Sequence, residues 1–182
     1  MKQYFLLSFL LILSIKSFSQ DSKYSIELNY PILTQNTLLK ENYYGVVDVG
    51  FRGRFLKTNR LNIGLHLNGS FFRHTENIKG SSYKNLYIIQ PKVYAEFDNS
   101  QKFKPLLGIG YSLMTYKKSG SVDDGVNLSL GLSYNLTETL FLQIQYDSIF
   151  WTEEFTRRGR NFLPVVDDSD NQIAKLGIGY RF

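Results

Sequence analysis

Apolar and polar residues alternate with period two, segment after segment, from about residue 24 to the end of the chain. A strand sends successive side chains to opposite faces, so each segment specifies a strand with one apolar and one polar face. The last is the cleanest: Ala174, Leu176, Ile178, Tyr180 and Phe182 alternate with Lys175, Gly177, Gly179 and Arg181. Upstream, Tyr43, Val47, Val49, Phe51 and Phe55 oppose Asp48, Gly50, Arg52 and Arg54. Leu61, Ile63, Leu65, Leu67 and Phe71 oppose Asn62, Gly64, His66, Asn68 and Ser70. Three more segments, 107–113, 126–134 and 140–147, repeat the pattern, and 24–30 and 84–97 follow it less regularly.

That makes eight strands, most near the ~9–11 residues a tilted membrane-crossing strand needs. Their connections alternate in length. Short ones lie near 57–60, 98–103 and 135–139, and long ones near 31–42, 74–83, 117–123 and 152–170. Short turns on one side and long loops on the other are the asymmetry of an outer-membrane barrel. Two residues strain this reading. Pro91 falls inside the fourth strand, where it cannot donate to a ladder, so a bulge is expected there. Asn68-Gly69 is a hairpin signal that competes with the third strand, but the alternation continues through Phe71 and the strand is expected to run on.

Residues 1–19 read as a cleaved signal peptide, leaving 20–182 as the barrel domain. Lys2 supplies a basic start, Tyr4 to Ile15 an apolar stretch too short to span, and Ser17 and Ser19 the small residues before cleavage. An uncleaved N-terminal anchor is the alternative. After Gln20 no run approaches the ~18 consecutive apolar residues of a spanning helix. The chain has no cysteine, which excludes disulfides, thiolate metal sites and a lipoprotein anchor. Its formal charge of +5 falls to +3 (5 minus 2) once Lys2 and Lys16 leave with the leader. So mild an excess gives no reason to expect a nucleic-acid partner.

A soluble lipocalin-like barrel would also alternate, with its apolar face turned inward. Three features favour the inverse, a membrane barrel. The polar face is rich in Gly and Ser, as a narrow lumen requires. It carries charges of both signs, namely Asp48, Arg52, Arg54, Lys92, Glu96, Asp147, Lys175 and Arg181. Tyr and Phe gather near strand ends, as aromatic girdles do. The expected fold is therefore all-β: an eight-stranded, antiparallel, up-and-down transmembrane β-barrel.

These residues also carry a resemblance. The ending Leu176-Gly-Ile178-Gly-Tyr180-Arg-Phe182 resembles the C-terminal β-signal of outer-membrane proteins. Lys104-Pro-Leu-Leu-Gly-Ile-Gly-Tyr111 resembles the fifth-strand pattern of small barrel domains of the OmpA/OmpX and PorT-like type. The resemblance implies a bacterial outer-membrane location, contact with outer-membrane lipid, and an assembly role for Leu176, Ile178, Tyr180 and Phe182 as the signal read by the barrel-assembly machinery. It carries no biochemical activity with it.

Candidate chemistry is sparse. His66 is expected on a strand and His74 in a loop. Barrel-embedded lipid A deacylases use a His-x-Ser motif, whereas here the residues are His66-Leu-Asn68, without the nucleophile. His66 also falls on the polar face, where acyl chains do not reach. The eight charges of that face are expected to form a packed ionic plug, because eight strands leave an interior just filled by side chains. The 152–170 loop begins beside Trp151 and holds Phe155, Arg157, Arg158, Arg160 and Phe162, candidates for binding an extracellular or envelope partner. Asp167, Asp168 and Asp170 match no calcium-loop spacing, so neither a metal nor any cofactor is expected. The function expected is that of a non-enzymatic outer-membrane barrel presenting its loops or supporting envelope integrity. The rivals are a lipid A- or phospholipid-modifying barrel enzyme, a narrow pore, and an accessory protein of a secretion system.

Overall fold

A computed structural model describes residues 23–34, 38–75, 85–98, 100, 102–116, 122–151 and 171–182. Eight strands close into one barrel in sequence order: β1 (Tyr24–Leu33), β2 (Tyr43–Lys57), β3 (Leu61–His74), β4 (Asn85–Phe97), β5 (Phe103–Tyr116), β6 (Val122–Asn135), β7 (Leu140–Trp151) and β8 (Asn171–Arg181). All neighbours are antiparallel, and β8 pairs with β1 from Ser25↔Arg181 to Leu33↔Ile173, so no edge is left. Closure satisfies the backbone groups internally, the condition for crossing lipid with strands. A short helix, α1 (Leu38–Asn42), lies between β1 and β2.

The outward face is an apolar wall. Ile26, Leu28, Leu65, Leu67, Ile109, Leu130, Ile144 and Leu176 stand exposed along its middle. Aromatics bracket them. At the short-turn end Tyr24 stacks on Phe51, leans on Phe182, and is followed around the rim by the Phe103–Tyr134 pair. At the long-loop end Phe71 stacks on Tyr87, and outward-facing Tyr111 and Tyr146 bond to Asp124 and Gln172.

Four places in the strand interiors bear on the sequence reading. First, β3 runs unbroken through Asn68-Gly69, as the alternation to Phe71 indicates, with Asn68 facing inward onto Asp48 and Gly69 outward. Second, Pro91 makes no bulge. Its register with β3 (Leu67↔Pro91) is unbroken, and the offset of β4 against β5 is the same at Ile89↔Leu113 and Lys92↔Gly110. The rungs at Gln90 and Pro91 are simply missing on the β5 side, and beside that gap the Gln90 side chain donates to Ser112 Oγ at 3.1 Å inside the lumen. Third, the bulges are in β2, where the register shifts between Gly45 and Val47 and again between Arg54 and Leu56. The first turns Tyr43 inward, against its expected place on the apolar face, and leaves Tyr44 outside. Fourth, β3 extends to His74, which is therefore on a strand rather than in a loop, with its ring edge-on to Tyr43 at 5.2 Å.

Candidate functional site

The inward phase of each strand delivers its side chains to a lumen that is filled in layers. At the short-turn end, Arg54 lies 3.2 Å from Glu96, Asn62 donates to the same carboxylate at 3.3 Å, and Arg181 Nη2 stands 3.9 Å away. Arg181 also donates to Asn135 at 2.5 Å and lies over the Phe141 ring, 4.1 Å from its centroid. Phe141 in turn covers Gly179 so closely that a Cβ there would sit 2.1 Å from the ring.

One step up, Glu27 is the hub. Arg52 Nε is 2.7 Å and His66 Nε2 3.2 Å from its carboxylate, and Gln143 donates to it at 2.8 Å. Arg52 reaches Gln143 at 3.0 Å and lies over the Tyr94 ring, 5.6 Å from its centroid. The next layer holds two lysines and two aspartates. Lys175 bridges Asp48 and Asp147, both at 2.9 Å, and Lys92 meets Asp147 at 3.0 Å. Asn29, Asn68 and Ser70 donate to Asp48, and Ser129 and Gln145 to Asp147. Each charge thus has an opposite charge within 4 Å, the condition under which buried ions are tolerated.

Above these layers the lumen changes character. Leu33, Tyr43, Phe72, Leu86, Ile88, Met114, Ile149 and Ile173 form a buried apolar cluster at the long-loop end, with Leu39 of α1 packed against it. The inward face is therefore not polar along its whole length.

The eight charges singled out in the sequence all lie inside the barrel, each at most 9% exposed. Glu27, Asn29 and Gln143 were not among them, although the alternation Ser25-Ile26-Glu27-Leu28-Asn29 gives their phase. On β8, Leu176 and Ile178 face outward, and Phe182 beyond it exchanges backbone bonds with Tyr24 at 3.1 and 3.0 Å. Trp151 is the last residue of β7, while Phe155, Arg157, Arg158, Arg160 and Phe162 lie outside the described residues, as does the signal peptide expected over 1–19. Among the described residues no group of three His, Cys, Asp or Glu side chains has the geometry to hold a metal ion.

A family model described as the outer membrane protein beta-barrel domain matches residues 5–182. The fold is similar to that of the Yersinia pestis outer membrane protein Ail in a phospholipid bilayer nanodisc, with 16% identity, 89% of this chain and 100% of that chain covered, and a TM-score of 0.55. Neisserial surface protein A matches at 15% identity over 88% of this chain and 96% of that one, with a TM-score of 0.52. The N-terminal β-barrel domain of Pseudomonas aeruginosa OprF matches at 16% identity over 87% and 96%, with a TM-score of 0.51. No curated protein matches the chain in sequence.

Proposed function

The chain belongs to the family of outer-membrane protein β-barrel domains, and from that premise we propose that it is a non-enzymatic, non-conducting barrel whose exposed loops carry its role. The observation that supports this reading is the filled lumen. Three ion-paired layers and an apolar layer occupy the interior, and an eight-stranded barrel has room for little else. The outer wall is given over to lipid. What is left to meet a partner, or to brace the envelope, is the set of long loops, and binding residues tend to lie on loops held by rigid scaffolds. Trp151, Phe155, Arg157, Arg158, Arg160 and Phe162 combine the aromatic and Arg types that dominate binding hot spots. His66 speaks against a barrel enzyme, because its ring is buried in the lumen against Glu27 with no hydroxyl nucleophile following it.

The test replaces residues 153–168 with a short Gly/Ser linker. The variant is expected to remain a barrel whose gel mobility changes on boiling, yet to lose the phenotype of the intact gene in a complementation assay. Full complementation by the shortened protein would move the function into the wall or the lumen.

A further inference from the structure

The lumen near the short turns holds buried hydrogen-bond donors that the described residues do not satisfy. Ser25, Arg52, Tyr94 and Arg181 are each at most 3% exposed. Yet Ser25 Oγ, Arg52 Nη1, Tyr94 Oη, and both Nε and Nη2 of Arg181 make no hydrogen bond. The remaining guanidinium nitrogens are used. Arg52 turns Nε to Glu27 and Nη2 to Gln143, while Arg181 gives Nη1 to Asn135 and its Nη2 stops 3.9 Å from Glu96. A guanidinium carries no acceptor, so neither arginine can answer the other. Strand register gathers these side chains. Ser25 is the partner of Arg52 on one side and of Arg181 on the other, which sets its hydroxyl between the two arginine stems. Tyr94 reaches over from β4. Its ring lies across Gly64, where a Cβ would be 2.6 Å from Cε1 and 2.8 Å from Cζ, and Gly64 is the partner of Arg54 on β2. The missing side chain at Gly64 thus lets the Tyr94 hydroxyl approach the arginine strand, under Arg52. Buried polar groups are rarely left without a partner, so so many donors in one layer call for an acceptor.

We propose that Ser25, Arg52, Tyr94 and Arg181 form a binding site for one chloride ion inside the short-turn end of the barrel. A halide accepts from every direction and donates nothing, which matches a set made of N–H and O–H donors. A water molecule would accept from two of them and then need acceptors for its own hydrogens. Hydrogen bonds from charged donors to an anion are the stronger kind, and two of the four side chains are arginines. The enclosure favours a small ion, because none of the four side chains has more than a trace of exposed surface. Strands β1, β2, β4 and β8 each contribute one residue, so the ion binds the closed barrel and not the open chain.

The full chain, freed of halide while unfolded in urea, is folded into detergent micelles in sodium gluconate. Sodium chloride then replaces gluconate at constant ionic strength, and urea unfolding gives the folded-to-unfolded ratio at each step. A ligand that binds the folded state alone raises that ratio about tenfold when its concentration is ten times its dissociation constant. The logarithm of the ratio is therefore expected to climb with the logarithm of chloride toward a slope of one, and bromide should do the same. S25A/Y94F, which removes two hydroxyls and no charge, should shift the rise to severalfold higher chloride. R181Q should flatten it, with the mobility shift on boiling confirming that the barrel is intact. Three results would each overturn the proposal. One is no dependence on chloride in the intact protein. Another is the same dependence in S25A/Y94F and R181Q as in the parent, which would mark a general salt effect. The third is a dependence that emerges only in D21N, which would show that the chain's own carboxylate answers these donors.

Discussion

Asp147 stands between two lysines, 3.0 Å from Lys92 and 2.9 Å from Lys175, with no solvent to take its place. Removing one partner of a buried ion pair strands the other, at a cost of about 3–5 kcal/mol. Asp147→Ala should therefore lower the stability of the barrel by that order in urea unfolding from detergent micelles. Lys92→Met with Asp147→Leu should recover most of the loss, since Lys175 keeps Asp48 at 2.9 Å. Equal midpoints for the single variant and the parent would show that the network contributes nothing. The glycines divide just as sharply. A Cβ on Gly110 would lie 2.1 Å from the Pro91 carbonyl oxygen, whereas one on Gly69 would meet nothing within 4 Å. Gly110→Ala should destabilise by about 1–3 kcal/mol through overpacking. Gly69→Ala should be neutral or stabilising by up to about 1 kcal/mol, because the strand no longer has to order a glycine. The same unfolding measurement checks both, and a reversed order would contradict the placement of the two faces.

At the scale of the strand, the sequence carries the phase of most residues and fails where the chain inserts an extra one. Val46-Val47 and Phe55-Leu56 are adjacent apolar pairs on a strand that otherwise alternates, and each coincides with a register shift. Counting by twos across them put Tyr43 on the wrong face. The apolar layer was missed for a different reason: polarity served as the marker of the lumen. Phase alone would have found Phe72 after Ser70, Met114 after Ser112, and Ile149 after Asp147. The bulge expected at Pro91 does not form, since a residue without an N–H needs only a missing rung and no change of register. Layer partners such as Glu27 to Arg52 join residues on different strands, and only the register brings them together. β8 was the strand most legible in advance, and its end carries a prediction. Phe182 forms the last backbone rung with Tyr24 at the seam where the barrel closes. Deleting it should reduce assembled protein in fractionated outer membranes without reducing export into the periplasm. Normal outer-membrane levels would remove the assembly role from this residue.

At the scale of the whole molecule, the layers lie in series between the two mouths, and on the non-conducting reading proposed above each would block the path independently of the others. The intact protein should pass no steady current in a planar bilayer, and large, reproducible channels would reverse that reading. The layer nearest the long loops has a further consequence. Among the described residues, its eight buried members all lie on strands, with Leu39 of α1 packed against them. The strands thus supply an apolar closure of their own at that end. On the reading proposed above, changes in the long connections are then screened by selection for what they contact more than for whether the wall closes. Lineages sharing this wall can diversify their outer surface rapidly while the strands beneath change slowly.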